Sequence, residues 1–222
     1  MKPSVSAVIF DLDGTLLASL EDLADSVNTV LDEFSFPTHP LEPYKYFVGD
    51  GMENLVRRAA PPDTPDTVLS AILSSVMREY GQHWARKSRP YDGIMPMLAE
   101  LEARRIPMAV LSNKPHAFTV EVMDHFFADI RFTAIQGSPP GSKAKPDPAL
   151  ALAIAGQMRL APEQVAFMGD TRTDMETANN AGMPPIGVLW GFRPERELLD
   201  HGAKVILARP EDFFHKVDFS IS

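Results

Sequence analysis

Short apolar runs alternate with amphipathic stretches along much of this chain, and the two periods separate strands from helices. Residues 5–10 form a β-branched and aromatic run that stops at an acidic cluster, the pattern of a buried parallel strand. Leu23, Val27, Val30, Leu31 and Phe34 then recur at helical spacing. Pro37, Pro40 and Pro43 predict a loop. Met52, Leu55, Val56 and Ala59 predict a second helix, ended by Pro61 and Pro62. Val68, Ile72 and Val76, beside Leu69, Leu73, Met77 and Tyr80, predict a third. Residues 16–90 thus read as helix and loop, without a strand.

The pattern changes at Tyr91. Pro96 suits the first turn of a helix running to Arg105. Strands are expected at Met108–Leu111, Phe132–Ile135, Val165–Met168, Ile186–Leu189 and Val205–Leu207. Helices are expected over His116–Phe127, from Pro148 to Met158, and over Asp174–Ala181, where Gly182 stops the last. Strand and helix in alternation imply an α/β fold, a doubly wound and mostly parallel sheet with a Rossmann-like core. Residues 1–15 and 91–222 supply that core, and residues 16–90 an all-helical cap domain inserted after its first strand.

Composition narrows the partners. The 222 residues contain no cysteine, which removes disulfides, thiolate nucleophiles and thiolate zinc sites. The six histidines are scattered without metal-ligand spacing. A net charge of −9 opposes binding to nucleic acid. No apolar run approaches membrane-spanning length. The stretch VSAVIF runs straight into Asp11, unlike a signal peptide. A soluble cytoplasmic protein is expected, monomeric or homodimeric.

The chemistry collects at the strand ends, where open parallel sheets bind ligands. The first strand ends in Asp11-Leu12-Asp13-Gly14-Thr15, the next in Ser112-Asn113-Lys114, and the strand near 165 in Gly169-Asp170-Thr171, with Asp174 one turn on. Lys145 lies in a Lys-Pro-Asp-Pro loop. Four carboxylates cannot share a crevice uncompensated. An all-oxygen donor set favours Mg²⁺, which also reverses the local sign so that an acidic protein can hold a phosphate ester. Taken singly, Asp174 also suits a helix first turn, Ser112 a helix N-cap and Lys145 a solvated loop.

In order, DLDGTL at 11–16, LSN at 111–113, KPDP at 145–148 and GDTRTD at 169–174 resemble the four motifs of the haloacid dehalogenase superfamily. YFVGDG at 46–51, LVRRA at 55–59 and GVLWGF at 187–192 are similar to its phosphoglycolate phosphatase branch and the related pyrophosphatases and phosphosugar phosphatases. The resemblance implies Asp11 as nucleophile, Asp13 as general acid and base, and Asp11, Asp13, Asp170 and Asp174 around the metal. It implies Ser112 and Lys145 on the transferring phosphoryl group, with Gly14, Thr15 and Asn113 bordering it. An aspartate at position 13 implies a phosphatase or mutase rather than a dehalogenase or an ATPase of the superfamily. The inserted helices match a helical lid, in which Gly49, Gly51 and Arg57 or Lys45 are candidates to meet the substrate. The expected substrate is a small phosphorylated metabolite, 2-phosphoglycolate first. Pyrophosphate, a sugar phosphate and a phosphomutase reaction are the alternatives, and a non-catalytic phosphate-binding module the remote one.

Overall fold

A computed structural model describes residues 2–139 and 143–219. In chain order, β1 (Ser4–Val5) and β2 (Ala7–Phe10) lead through a tight turn to β3 (Leu17–Ala18), followed by the helices α1 (Leu20–Glu33), α2 (Leu41–Phe47), α3 (Met52–Ala59) and α4 (Asp66–His83). The chain returns through β4 (Arg89–Pro90), α5 (Ile94–Ala103), β5 (Met108–Pro115), α6 (His116–Phe126), β6 (Ala134–Ser138) and α7 (Ala149–Met158). It ends with β7 (Val165–Gly169), α8 (Arg172–Ala181), β8 (Pro185–Val188), α9 (Glu195–Asp200), β9 (Val205–Leu207), α10 (Phe213–Lys216) and β10 (Asp218–Phe219).

Six strands form one parallel sheet in the order β6-β5-β2-β7-β8-β9. All four side chains of β2 are buried, because helices cover both faces. Val8 and Phe10 join the core on one face, and Ala7 and Ile9 the smaller core on the other. The chain winds outward in both directions from β2, so the crevice at the carboxyl ends of β5, β2 and β7 is the topological switch point.

Four expectations need correction. The proline-rich stretch holds a helix, α2, since Pro40 caps it and Pro43 lies in its first turn, where an N–H is not needed. Residues 16–90 do contain strands: β3 and β4 pair antiparallel where the chain leaves and rejoins the sheet. Strand β5 continues past Leu111 to Pro115 with a shift of register, and its polar end stays buried because it faces the crevice. Strand β6 lies further along than Phe132–Ile135, because the backbone of Gln136 to Ser138 completes the pairing with β5.

Asp22 ties the crossing together. Its buried carboxylate accepts hydrogen bonds from the backbone N–H of Lys87 and Ser88 and from the Ser88 hydroxyl. The start of α1 is thereby fixed to the returning strand beside β3 and β4.

Candidate active site

The turn after β2 sets the site. The backbone N–H groups of Thr15, Leu16 and Leu17 all turn back to the Leu12 carbonyl, which throws Asp11 and Asp13 toward the crevice. Gly14 has φ +90°, and a Cβ there would overlap the Asp170 carboxylate, so glycine alone allows this approach. Thr15 Oγ1 lies 3.4 Å from Asp170 Oδ1, and the Phe192 N–H donates to Asp170 Oδ2 at 2.7 Å.

Asp11, Asp170 and Asp174 place carboxylate oxygens within 4.8 Å of one another, and all three are buried. Lys145 Nζ donates to Asp11 Oδ1 at 2.7 Å and to Asp174 Oδ1 at 2.6 Å. The other Asp174 oxygen accepts from the Thr171 N–H and hydroxyl at the first turn of α8. Both oxygens of Asp174 are thus engaged in orienting Lys145 and opening the helix. Burial, opposed by Lys145 and reinforced by the Asp174 charge, pushes the Asp11 carboxyl up to about 7. Burial and the charges of Asp174 and Asp11 also push Asp170 well up. Burial works against the Lys145 ammonium, but its two carboxylates hold its pKa above the ordinary value. One ammonium among three buried carboxylates leaves the cluster short of positive charge. Its hard oxygen donors suit a divalent cation of the Mg²⁺ kind.

Asp13 has partners of its own. Ser19 Oγ donates to its Oδ1 at 2.5 Å, and Lys114 Nζ lies 3.1 Å from the same oxygen. Lys114 was not among the expected site residues. Its side chain is 2% exposed and donates to the Tyr80 hydroxyl of α4 at 2.6 Å. Burial pulls this ammonium down, yet Asp13 and Tyr80 raise its pKa overall. The available signal was a lysine next to Ser112 and Asn113 at a strand end.

These groups line a cavity of about 40 Å³. Its floor comprises Asp11, Asp13, Ser112, Asn113, Lys114, Lys145, Thr171 and Asp174. Its roof is the inserted helical segment, through Leu23, Val48, Gly49, Gly51, Met52 and Leu55. The seam is bonded. Asn113 Nδ2 donates to the carbonyls of Gly49 and Lys145, while its Oδ1 accepts from the Lys145 N–H. The Thr173 hydroxyl donates to Asp50, which also pairs with Arg58. Arg193 reaches the Val48 carbonyl at 3.3 Å and stacks on Tyr46. The roof is therefore bonded to the floor at three points.

Among the expected site residues, Asp11, Asp13, Gly14, Thr15, Asn113, Ser112, Lys145, Asp170, Asp174 and Gly51 come together at or around this cavity. Arg57 does not: its side chain is 62% exposed and pairs with Asp66 on the outside of the helical segment. Lys45 likewise pairs with Glu42 at the surface. Their α-helices turn an apolar face inward, and the cations follow the solvated face.

A haloacid dehalogenase-like hydrolase family model matches residues 8–188. The chain is 33% identical over 201 residues to the phosphoglycolate phosphatase of Thiobacillus denitrificans, covering 87% of this chain and 88% of that protein. It is 30% identical over 207 residues to the phosphoglycolate phosphatase of Mannheimia succiniciproducens, covering 90% and 92%. The crystal structure of a predicted phosphoglycolate phosphatase from Haemophilus somnus superposes with a TM-score of 0.87 at 27% identity, covering 94% and 96%. The chain belongs to the haloacid dehalogenase-like hydrolases. Within that family it is a phosphatase, a phosphoric monoester hydrolase.

Proposed function

We propose that the enzyme is a Mg²⁺-dependent phosphatase that hydrolyses 2-phosphoglycolate, or a monoester of similar size, through an aspartyl-phosphate at Asp11. The observation that carries this reading is the buried cluster at the strand ends, where Asp11, Asp170 and Asp174 bring carboxylate oxygens within 4.8 Å of one another and Lys145 pairs with two of them. Curated relatives at about 33% identity bear the same activity in their names.

Asp11, Asp170 and the backbone carbonyl of Asp13 would hold the Mg²⁺. Bound there, the ion supplies positive charge beside the phosphoryl oxygens. Asp11 attacks phosphorus in line while Asp13 protonates the departing alkoxide, which splits the reaction into two easier steps. Asp13 then takes a proton from the water that cleaves the aspartyl-phosphate. Lys145 and Ser112 hold the phosphoryl oxygens, and Asp174 keeps Lys145 aimed. Residues 16–90 serve as the lid that excludes bulk water during transfer.

The test is phosphate release from a panel of 2-phosphoglycolate, pyrophosphate and sugar phosphates, with and without Mg²⁺. Release that needs Mg²⁺, is greatest with 2-phosphoglycolate and disappears in Asp11→Asn is expected. A sugar phosphate as the best substrate would overturn the small-ester reading.

A further inference from the structure

The roof of the cavity contributes no cation. Its side chains are apolar or absent, and Arg57 and Lys45 lie outside. Among the described residues, the lining holds two cations, Lys145 and Lys114. Lys145 is committed to Asp11 and Asp174, on the nucleophile's side. Lys114 pairs with Asp13 instead.

Lys114 is poorly explained as a mere structural ion. A buried ammonium is costly, and an apolar side chain would fill a core position more cheaply. It carries three N–H donors. Among the described residues, the Asp13 carboxylate and the Tyr80 hydroxyl are its hydrogen-bond partners, so two of the three donors are used, and the residue lines the cavity. Its stem extends from β5, and Tyr80 holds the ammonium from α4 of the roof. The charge is thus held in place from the sheet and from the inserted helices together.

We propose that Lys114 is the specificity-determining residue that reads a negative charge on the leaving group, a carboxylate one carbon from the ester oxygen. This rests on the phosphatase reading above. The geometry follows from Asp13. A leaving oxygen protonated by Asp13 lies within about 3 Å of that carboxyl. Lys114 Nζ lies 3.1 Å from Asp13 Oδ1, so a carboxylate attached through a single methylene reaches the ammonium without displacing the ester from the acid. A neutral alkyl group of the same size leaves the ammonium with no new partner. Tyr80, by fixing the ammonium, is a positioning residue for the same discrimination.

The experiment compares 2-phosphoglycolate with ethyl phosphate, which lacks the carboxylate, in wild type, Lys114→Gln, Lys114→Arg and Tyr80→Phe. Wild type is expected to favour 2-phosphoglycolate in kcat/KM. Lys114→Gln is expected to lower that preference by at least about thirtyfold, mainly through KM, because a site built for a charged partner discriminates strongly. Lys114→Arg restores part of the preference, and Tyr80→Phe lowers it by a few fold. Circular dichroism and thermal denaturation of the same preparations report that each variant is folded. Equal loss on both substrates in Lys114→Gln would mean that Lys114 acts only on Asp13, and would overturn the proposal. So would a wild type with no preference for the carboxylate.

Calorimetric binding of both esters to Asp11→Asn with Mg²⁺, with and without Lys114→Gln, reads the same preference without turnover. Absence of hydrolysis with a carboxylate preference that depends on Lys114 would sink the catalytic reading alone. Hydrolysis of both esters without such a preference would sink the Lys114 proposal alone.

Discussion

At the residue scale, the site is a cluster of charges made compatible by short-range geometry. Lys145 is shared between Asp11 and Asp174, and Gly14 makes room for Asp170 by lacking a side chain. Gly14→Ala combines a left-handed φ with overlap against a buried carboxylate. Its expected cost is about 2 kcal/mol, or a fall in Tm of about 4–8 °C, together with loss of turnover. Thermal denaturation beside a phosphate-release assay checks both, and an active variant of unchanged Tm would contradict the packing account. The acidic positions were legible because four motifs occur in order at the strand ends; singly, an aspartate there suits a turn or a helix cap. Lys114 was visible as a residue and opaque as a role. Whether a lysine at a strand end turns into the crevice or out to water depends on register, and β5 shifts register just there. Arg57 shows the converse: its spacing admitted either face of α3, and packing chose the outer one.

At the element scale, the long helices were legible because each carries enough residues for a period to emerge, and the sheet strands because short continuous apolar runs stop at polar clusters. The ribbon of β3 and β4 was not, since two residues per strand define no alternation. Helix α2 was masked by prolines that occupy its permissive first turn. The ribbon matters because the chain crosses there between sheet and roof, and Asp22 locks the crossing with three donors. Asp22→Leu strands those donors without a carboxylate, whereas Asp22→Asn keeps part of the set. Losses of about 3 kcal/mol and about 1 kcal/mol respectively are expected in denaturant unfolding. Equal stability of both variants and wild type would show that the crossing is held by packing alone.

At the scale of the whole molecule, burying acids beneath the inserted helices links stability to pH. The ordinary Asp11 value of 3.8 rises to about 7 in the fold. The folded state therefore holds its proton more tightly than the unfolded chain. That contribution is full below the ordinary value and is lost as pH rises through about 7. On the proposed reading Mg²⁺ would take the place of that proton, because a ligating carboxylate must be ionised. Mg²⁺ is expected to raise Tm more at about pH 8 than at about pH 5.5. Equal shifts at both would mean that the ion binds away from the buried cluster. The same enclosure explains how a chain of net charge −9 handles phosphate: the deciding charges are local and sheltered from the acidic surface.

The central claim is that phosphorus passes through Asp11. The most direct measurement is rapid acid quenching during turnover of 2-phosphoglycolate, with the phosphoryl adduct located by peptide mass spectrometry. An adduct on the peptide carrying Asp11, which decays in step with phosphate release and is absent from Asp11→Asn, is the predicted result. Phosphate release that persists in Asp11→Asn, or an adduct at another residue, would contradict it.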